Sequence, residues 1–340
     1  MKLFAKILTA LSLLTISTQA QDSLFFKEHP YNFSFKLYSN YLNQRLNLYS
    51  KSVTKAKNAF VPNIKGTIGV SLNLKYTSLS YSQKLNAGIL DEEKYGATKY
   101  FTFSSESYHK KFGLELSYQQ YKGFYRPGNV LTFRPLQARP DIRFYHANVS
   151  LLFFGNSKKF NFAAAFSQSK KQLKSAGGLV VTSAFNFKNL IADSSLISKE
   201  IDTKDYFGNY TGVKNFAYIP LELRFGYAYN FVIKRNWFVC PYLSAGSGVT
   251  IYRYKNKSES NIIPAIYTIM QFRLAAGYSY GRYFVSSQVN LLRNKNYLRE
   301  KVYLSHDSYL IAANIGVRFF SKRKKDKDLK NSNKTFNSPS

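Results

Sequence analysis

Two stretches of the chain gather basic side chains that could bind an anion. The first comprises YKGFYRP at 121–127 and RPD at 139–141, and it flanks Pro127-Gly128, a pair that favours a turn. Its charged residues are Lys122, Arg126, Arg139 and Asp141. The second, SKKQLKSAGG at 169–178, places lysines next to glycines whose amides could approach an anion, namely Lys170, Lys171 and Lys174. Both stretches predict anion binding, and the alternative for the first is a surface Arg–Asp pair that contributes at most about 1 kcal/mol.

The sequence SHDS at 305–308 contains the residue types of a hydrolase triad. Adjacent residues of a strand point to opposite faces, so Ser305, His306 and Asp307 do not simply converge. We therefore expect no catalytic residues and no enzyme, and an outer-membrane lipid hydrolase or acyltransferase is the less favoured alternative. The sequence shows no metal-ligand spacing, phosphate loop or dinucleotide fingerprint, which predicts no metal and no cofactor.

Apolar and polar residues alternate along much of the chain, and this alternation predicts the strands that carry these residues. In VPNIKGTIGVSLNLKY at 61–76, apolar residues stand at even positions and polar residues between them, as in a strand with one buried face. The same alternation recurs at 112–118, 145–153, 160–166, 179–187, 221–231, 272–280, 285–291 and 309–319. With weaker candidates included, the pattern predicts about 12–14 strands of about ten residues, the length that a tilted membrane strand needs.

The predicted fold is all-β, a transmembrane antiparallel up-and-down β-barrel over residues 21–320. Helical periodicity is absent at useful length, and amphipathic strands in lipid must close on one another because an open edge leaves amides unpaired. The connections at 233–237 and 280–283 are short, whereas those at 191–218, 253–263 and 294–306 are long and polar, as in outer-membrane barrels. If 154–160 is also a short turn, a further crossing strand is expected within 191–218. A soluble periplasmic β protein is the alternative architecture.

The two ends of the chain predict export and a charged tail. Lys2 and Lys6 precede an apolar run that ends before Thr18-Gln19-Ala20, so residues 1–20 are a predicted cleaved signal peptide and the location is the outer membrane. Residues 321–340 are a predicted basic, disordered tail. The only cysteine is Cys240, which excludes an internal disulfide.

Residues between the apolar sets are predicted to face the barrel lumen. They are Lys65, Lys75, Glu115, His146, Glu222, Arg224, Arg273 and Arg318. A basic side chain facing lipid at the midplane costs about 2–4 kcal/mol, which favours the lumen for the arginines. The chain has 49 basic and 18 acidic residues, and we expect a polar, mostly positive lumen.

The predicted function is either a narrow anion-preferring channel or a barrel that contacts lipopolysaccharide through its phosphates. The expected partners are outer-membrane lipid, the barrel-assembly machinery and small anions. Nucleic acid is excluded because the chain is exported and its basic residues are scattered. The alternative function is a structural or secretion-machinery scaffold with a closed lumen.

Several segments resemble a known protein family. They are EKYGATKYFTF (93–103), KKFGLELSYQQYKGFYRP (110–127), RPDIRFYHANVSLLFFGNSKKFNFAAAFSQSKKQLKSAGG (139–178), ADSSLI (192–197) and FGYAYNFVIKRNWFV (225–239). In this order they resemble the uncharacterised bacterial family called domain of unknown function 4421. The resemblance implies an exported β-barrel of a Gram-negative outer membrane, with no assigned reaction or ligand.

Overall fold

A computed structural model describes residues 24–50, 57–86, 90–128, 136–255, 260–299 and 302–319. The predicted signal peptide at 1–20 and the predicted tail at 321–340 lie outside these residues. The strands are β1 (Phe26–Glu28), β2 (Phe33–Ser50), β3 (Lys57–Phe60), β4 (Gly66–Leu74), β5 (Thr77–Leu85), β6 (Lys99–Tyr108), β7 (Phe112–Arg126), β8 (Gln137–Phe154), β9 (Lys170–Gln172), β10 (Ala176–Ile191), β11 (Asn215–Ile233), β12 (Trp237–Lys255), β13 (Ser260–Tyr280), β14 (Tyr283–Tyr297) and β15 (Val302–Phe319). The short helices are α1 (Glu92–Tyr95), α2 (Ala163–Phe166) and α3 (Lys204–Phe207), with 3-10 turns at Lys199–Ile201 and Gly208–Tyr210.

Twelve of these strands form a closed antiparallel ring. Each pairs with the next long strand along the chain, and β15 pairs with β2 from Phe319–Phe33 to Val302–Ser50, which closes the sheet. β3 pairs with the upper part of β2, beyond β4, and β1 pairs only with β9. The prediction of an all-β antiparallel barrel is confirmed, and its strand number lies at the lower end of the predicted range. In the described part of the chain, no helix is long and apolar enough to cross a membrane.

Four connections of two or three residues lie at one end of the ring, which we call the turn end. They join β4 to β5, β6 to β7, β11 to β12 and β13 to β14, and β2 begins and β15 ends at the same level. The predicted loops at 253–263 and 294–306 are mostly extensions of the strands that flank them. The opposite end, which we call the loop end, carries the longer connection 192–214.

Two strand predictions are wrong for one common reason. The alternating segment 160–166 contains α2 and lies inside the barrel, where all of its residues are buried, including Phe160 and Phe162. The predicted crossing strand within 191–218 is instead loop, short helix α3 and 3-10 turns. An apolar face that packs on the inner wall gives the same period as one that faces lipid, so 160–166 has the pattern of a wall strand. The further strand within 191–218 is needed only if 160–166 crosses the membrane; without that false strand, the strand number is already even.

The outer wall of the ring is apolar. Outward residues such as Leu223, Leu243 and Ile315 are 45%, 57% and 58% exposed, and inward neighbours such as Thr182 and Ser244 are buried. At the turn end, the ring of Phe33 stacks on that of Phe319 with centroids 4.9 Å apart. Eight to ten residues further toward the loop end, Tyr41 meets Tyr309 edge-on, with ring centroids 6.3 Å apart. Eight to ten tilted residues between these aromatic pairs span about 20–25 Å, the height of a lipid-facing band.

The wall therefore predicts a sharp penalty for charge on its outer face. Leu243→Arg should lower the free energy of unfolding by about 2–4 kcal/mol more than Leu243→Ala, because Leu243 lies midway along the apolar part of β12. Denaturant unfolding in lipid vesicles measures the difference. Equal stability of the two variants would contradict a lipid-facing position.

Candidate functional site: a polar chamber between two apolar seals

The middle of the barrel contains a polar chamber of about 170 Å³. Its wall comes from inward positions of several strands, and its titratable residues are Glu115, His146, Lys188, Glu222, Arg224 and His306. Because inward and outward residues alternate along each strand, the sequence that makes an apolar outer wall also supplies these polar side chains.

One ion pair connects the chamber wall to the turn end. Arg273 Nη1 donates to Glu115 Oε1 at 2.8 Å, and the Tyr108 hydroxyl donates to the same oxygen. The Arg273 guanidinium also lies over the Phe166 ring, with 4.3 Å from its central carbon to the ring centroid. Arg273 therefore contacts the chamber wall on one side and the segment below it on the other.

A second series of polar side chains runs along the inner face of the wall from β11 to β14. Arg224 Nε lies 3.2 Å from Glu222 Oε1, and Arg224 Nη1 donates to Gln271, which donates to Asn290 at 3.0 Å. Arg224 reaches Gln271 across β12, where Gly246 stands opposite it; a Cβ on Gly246 would lie 2.9 Å from Arg224 Cγ. The small residues of SAGSG (244–248) thus leave the space that this arginine occupies.

Lys188 supplies positive charge that these two pairs do not compensate. It is 1% exposed, and its ammonium lies 5.8 Å from the ring centroids of both Tyr218 and Tyr267. No carboxylate of a described residue lies within ion-pair distance of it. Of the charged residues that line the chamber, Glu115 and Glu222 each face an arginine, whereas Lys188 has no carboxylate at ion-pair distance among the described residues.

Several buried polar atoms of the chamber have no hydrogen-bond partner among the residues that the structure describes. They include Oε1 of Gln119, Nδ1 of His146 and both ring nitrogens of His306. The other nitrogen of His146, Nε2, lies 3.0 Å from Asn186 Oδ1, and the two imidazoles meet edge-on at 6.1 Å. Buried polar groups are normally satisfied, so this wall is suited to a polar solute or water.

The turn-end seal consists of segment 155–175, which folds back into the barrel. Phe162 stacks on Phe166 at 4.3 Å, and both pack against inward wall residues such as Tyr242. Side chains of the wall bind the middle of the segment: Gln288 Nε2 donates to the Phe166 carbonyl at 2.9 Å, and Arg318 Nη2 donates to the Gln168 carbonyl at 3.3 Å. Nearer its ends, the Gly155 amide donates to the Leu179 carbonyl of β10 at 2.8 Å, and Ser175 Oγ accepts from the Val232 amide of β11 at 2.9 Å.

The loop-end seal consists of loop 192–214, which packs its apolar residues into the mouth of the barrel. Tyr210 is 1% exposed, and its hydroxyl lies 2.6 Å from that of Tyr252. Arg139 holds the loop down, since it binds both Asp141 oxygens at 2.8 Å and donates to Ser194 Oγ and the Ser195 carbonyl, each at 3.0 Å. The predicted Arg139–Asp141 pair therefore binds the loop-end seal.

The chain matches a known family over most of its length. A comparison with protein families matches residues 20–319 to the family described as Domain of unknown function (DUF4421). The chain belongs to the DUF4421 family. A comparison with curated proteins finds no match.

Among solved structures, this DUF4421 barrel is similar to several proteins at low sequence identity. The translocator domain of autotransporter NalP from Neisseria meningitidis has 10% identity and a TM-score of 0.42, with 94% of this chain and 95% of that chain covered. Outer membrane protease OmpT from Escherichia coli has 9% identity and a TM-score of 0.38, with 88% and 100% covered. The toluene transporter TodX of P. putida has 9% identity and a TM-score of 0.30, with 86% and 91% covered.

The predicted lysine site at 169–178 is part of the turn-end seal. Lys170 Nζ lies 3.6 Å from Glu28 of β1, Lys171 Nζ donates to Asn236 Oδ1 at 2.7 Å, and Lys174 lies over the Phe25 ring at 5.7 Å. Burial lowers the pKa of Lys170, and the Glu28 carboxylate opposes that shift. The glycines expected to form a flexible loop, Gly177 and Gly178, instead belong to β10 and pair with β11.

Other residues predicted to form sites lie apart from one another. Lys122 is exposed on the outer wall, whereas Arg126 is buried at the end of β7. Lys75 lies at the turn-end rim rather than in the lumen, 3.4 Å from Glu28, because β4 ends one residue earlier. Lys65 is half-buried just before β4. Of SHDS, His306 lines the chamber while Asp307 lies 3.2 Å from Arg293, an exposed residue of the outer wall.

Lys188 is the chamber residue that the sequence reasoning missed. The predicted alternating segment 179–187 stops at Phe187. One more residue of the same period places Lys188 on the inner face with Thr182, Ala184 and Asn186. Extending each run to its last alternating residue would have found it.

The Glu115–Arg273 pair predicts a large and asymmetric effect on stability. Arg273→Met should lower the free energy of unfolding by about 3–5 kcal/mol, because it leaves a buried carboxylate uncompensated, and adding Glu115→Gln should recover part of the loss. Arg293→Met is the matched control, since its Asp307 pair is exposed and is expected to contribute under about 1 kcal/mol. Equal effects of the two single substitutions, measured by vesicle unfolding, would contradict the assignment.

The segment before β2 predicts a pH dependence at the turn end. Burial lowers the pKa of His29 to about 3, and the charges of Arg318, Lys171 and Lys27 act in the same direction. When the segment is released, the His29 imidazole binds a proton near pH 6.5, whereas in the docked segment it does so only near pH 3. Docking should therefore be complete above about pH 6.5 and weaken as the pH falls below it.

A spin label on Leu24→Cys in a Cys240→Ser background measures this docking by its mobility. The label should become more mobile between pH 7 and pH 4.5. His29→Gln is the control, because Glu28 and Lys75 also lie beside His29. The same pH response in His29→Gln would assign the effect to those neighbours.

Proposed function

We propose that the protein is a gated passage in the outer membrane for small polar solutes, with a preference for anions. The observation that carries the proposal is the chamber itself: polar atoms that have no partner in the described part of the chain line a space that two separate chain segments close. A barrel interior that serves only as packing would fill this space with interlocking side chains.

The turn-end seal is suited to gating because it is not part of the barrel wall. The middle of segment 155–175 can leave the wall without breaking the closed ladder, since Phe166 and Gln168 are bound to the wall by the side chains of Gln288 and Arg318. The loop-end seal depends in the same way on Arg139.

Arg273 links solute entry to opening of the turn end. An anion in the chamber competes with Glu115 for the guanidinium, and a guanidinium drawn toward the chamber leaves the Phe166 ring. Lys188 adds a positive charge without an ion-pair partner in the chamber, which favours an anion over a cation in this confined space.

Conductance in planar bilayers tests the gate. The unaltered protein should open rarely, whereas the combined variant Gln288→Leu with Arg139→Met should open at least several-fold more often, because each seal loses one of the side chains that attach it to the wall. A combined variant that inserts as a folded barrel and stays silent would contradict the proposal.

The reversal potential in a salt gradient tests the selectivity. Lys188→Gln should lower the anion-to-cation permeability ratio, while Lys158→Gln, an exposed turn-end residue, should leave it unchanged. The same ratio in both variants would remove the anion preference from the proposal.

A further inference from the structure

The outer wall carries a row of positive charges at the loop end. Lys99 of β6 stands directly opposite Lys122 of β7, which stands directly opposite Arg143 of β8. Both lysines are exposed, and the Arg143 side chain is 39% exposed. Side chains directly opposite on neighbouring strands have Cβ atoms about 4.5–5.5 Å apart, and like charges in that arrangement repel.

The backbone fixes this arrangement. Gly123, with φ of 91°, follows Lys122 at a β-bulge, and a Cβ there would lie 2.1 Å from the Ala97 carbonyl oxygen. Thr98 Oγ1 donates to the Gly123 carbonyl at 2.8 Å. The β7–β8 ladder runs in one register from Phe112–Phe153 to Lys122–Arg143, which places Lys122 between the other two cations, and the bulge shifts the register only beyond Lys122.

A second row on the same wall shows how this protein balances such charges. Arg45 of β2 stands opposite Asp307 of β15, which stands opposite Arg293 of β14. The central carboxylate lies 3.2 Å from Arg293 Nε. In the first row, a lysine stands at the central position. The acidic group of this row is Asp193, an exposed residue of loop 192–214, which lies 2.8 Å from Arg143 at the end of the row.

The residues below the first row place it at the lipid surface. One step down each strand, in register, stand Phe101, Gln120 and Tyr145, and one step further stand Phe103, Tyr118 and Ala147. The rings of Phe101 and Tyr118 are 5.9 Å apart. Aromatic side chains mark the level of lipid head groups, so the cations stand at the height of head-group phosphates.

We propose that Lys99, Lys122 and Arg143 bind the phosphate of a lipid head group in the outer leaflet. The phosphate supplies the negative charge that Asp307 supplies between Arg45 and Arg293. Its oxygens accept hydrogen bonds from both lysines, while Arg143 binds the phosphate and Asp193 at the same time. The aromatic residues below contact the sugar or acyl portion of the same lipid. This site lies on the outer wall and does not depend on passage through the lumen.

The test measures lipid binding to the full-length protein in detergent by native mass spectrometry, with lipid A, phosphatidylcholine and inorganic phosphate as separate probes. Lipid A should bind to the unaltered protein in preference to phosphatidylcholine, and its affinity should fall with added salt. Lys99→Gln with Lys122→Gln should weaken lipid A binding about 30-fold. Lys199→Gln with Lys204→Gln removes the same charge from an exposed part of loop 192–214 and should change it less than about twofold.

Lys122→Glu separates binding from folding. It reproduces the charge order of the Arg45–Asp307–Arg293 row, so the barrel should remain at least as stable while lipid A binding is lost. Equal binding by the row variants and the loop variants would overturn the proposal. Inorganic phosphate that binds as tightly as lipid A would overturn the assignment to a lipid.

Discussion

Backbone amides in hydrocarbon have partners only in a neighbouring strand, and the pairing of β15 with β2 supplies the last of them. Once the ring is closed, the alternation of each strand leaves one face for lipid and one for the lumen. Polar residues that would be costly outside are collected inside, where they must satisfy one another. The Glu115–Arg273 pair and the chain from Glu222 to Asn290 follow from that constraint.

The interior is closed by chain segments that are not part of the wall. A ring of this size leaves space between facing strands, and segment 155–175 and loop 192–214 fill its two ends with aromatic and aliphatic side chains. The middle keeps a polar chamber because inward positions there carry Lys188, His146 and His306. Buried ion pairs are often no more stable than apolar replacements, so Arg273 is better explained by its double contact with wall and seal than by stability alone.

The sequence was sufficient for the wall and insufficient for the seals. Period two along 221–231 and 272–280 predicted strands and their lipid face because only the alternation matters there. The same period at 160–166 predicted a strand wrongly, since an apolar face packed inside a barrel has an identical pattern. The rows through Lys122 and Asp307 required the strand register, which alternation along a single strand does not give. Contacts such as Arg139 with Ser194 join distant parts of the chain and have no local signal.

The central claim is that lipid contacts one face of each strand and the polar lumen lies behind the other. Single cysteines at positions 285–290 of β14, in a Cys240→Ser background, carry nitroxide labels in vesicles, and power saturation measures their access to oxygen dissolved in the bilayer. The account predicts high access at Val285, Ser287 and Val289 and low access at Ser286, Gln288 and Asn290. The opposite alternation, or none, would contradict it.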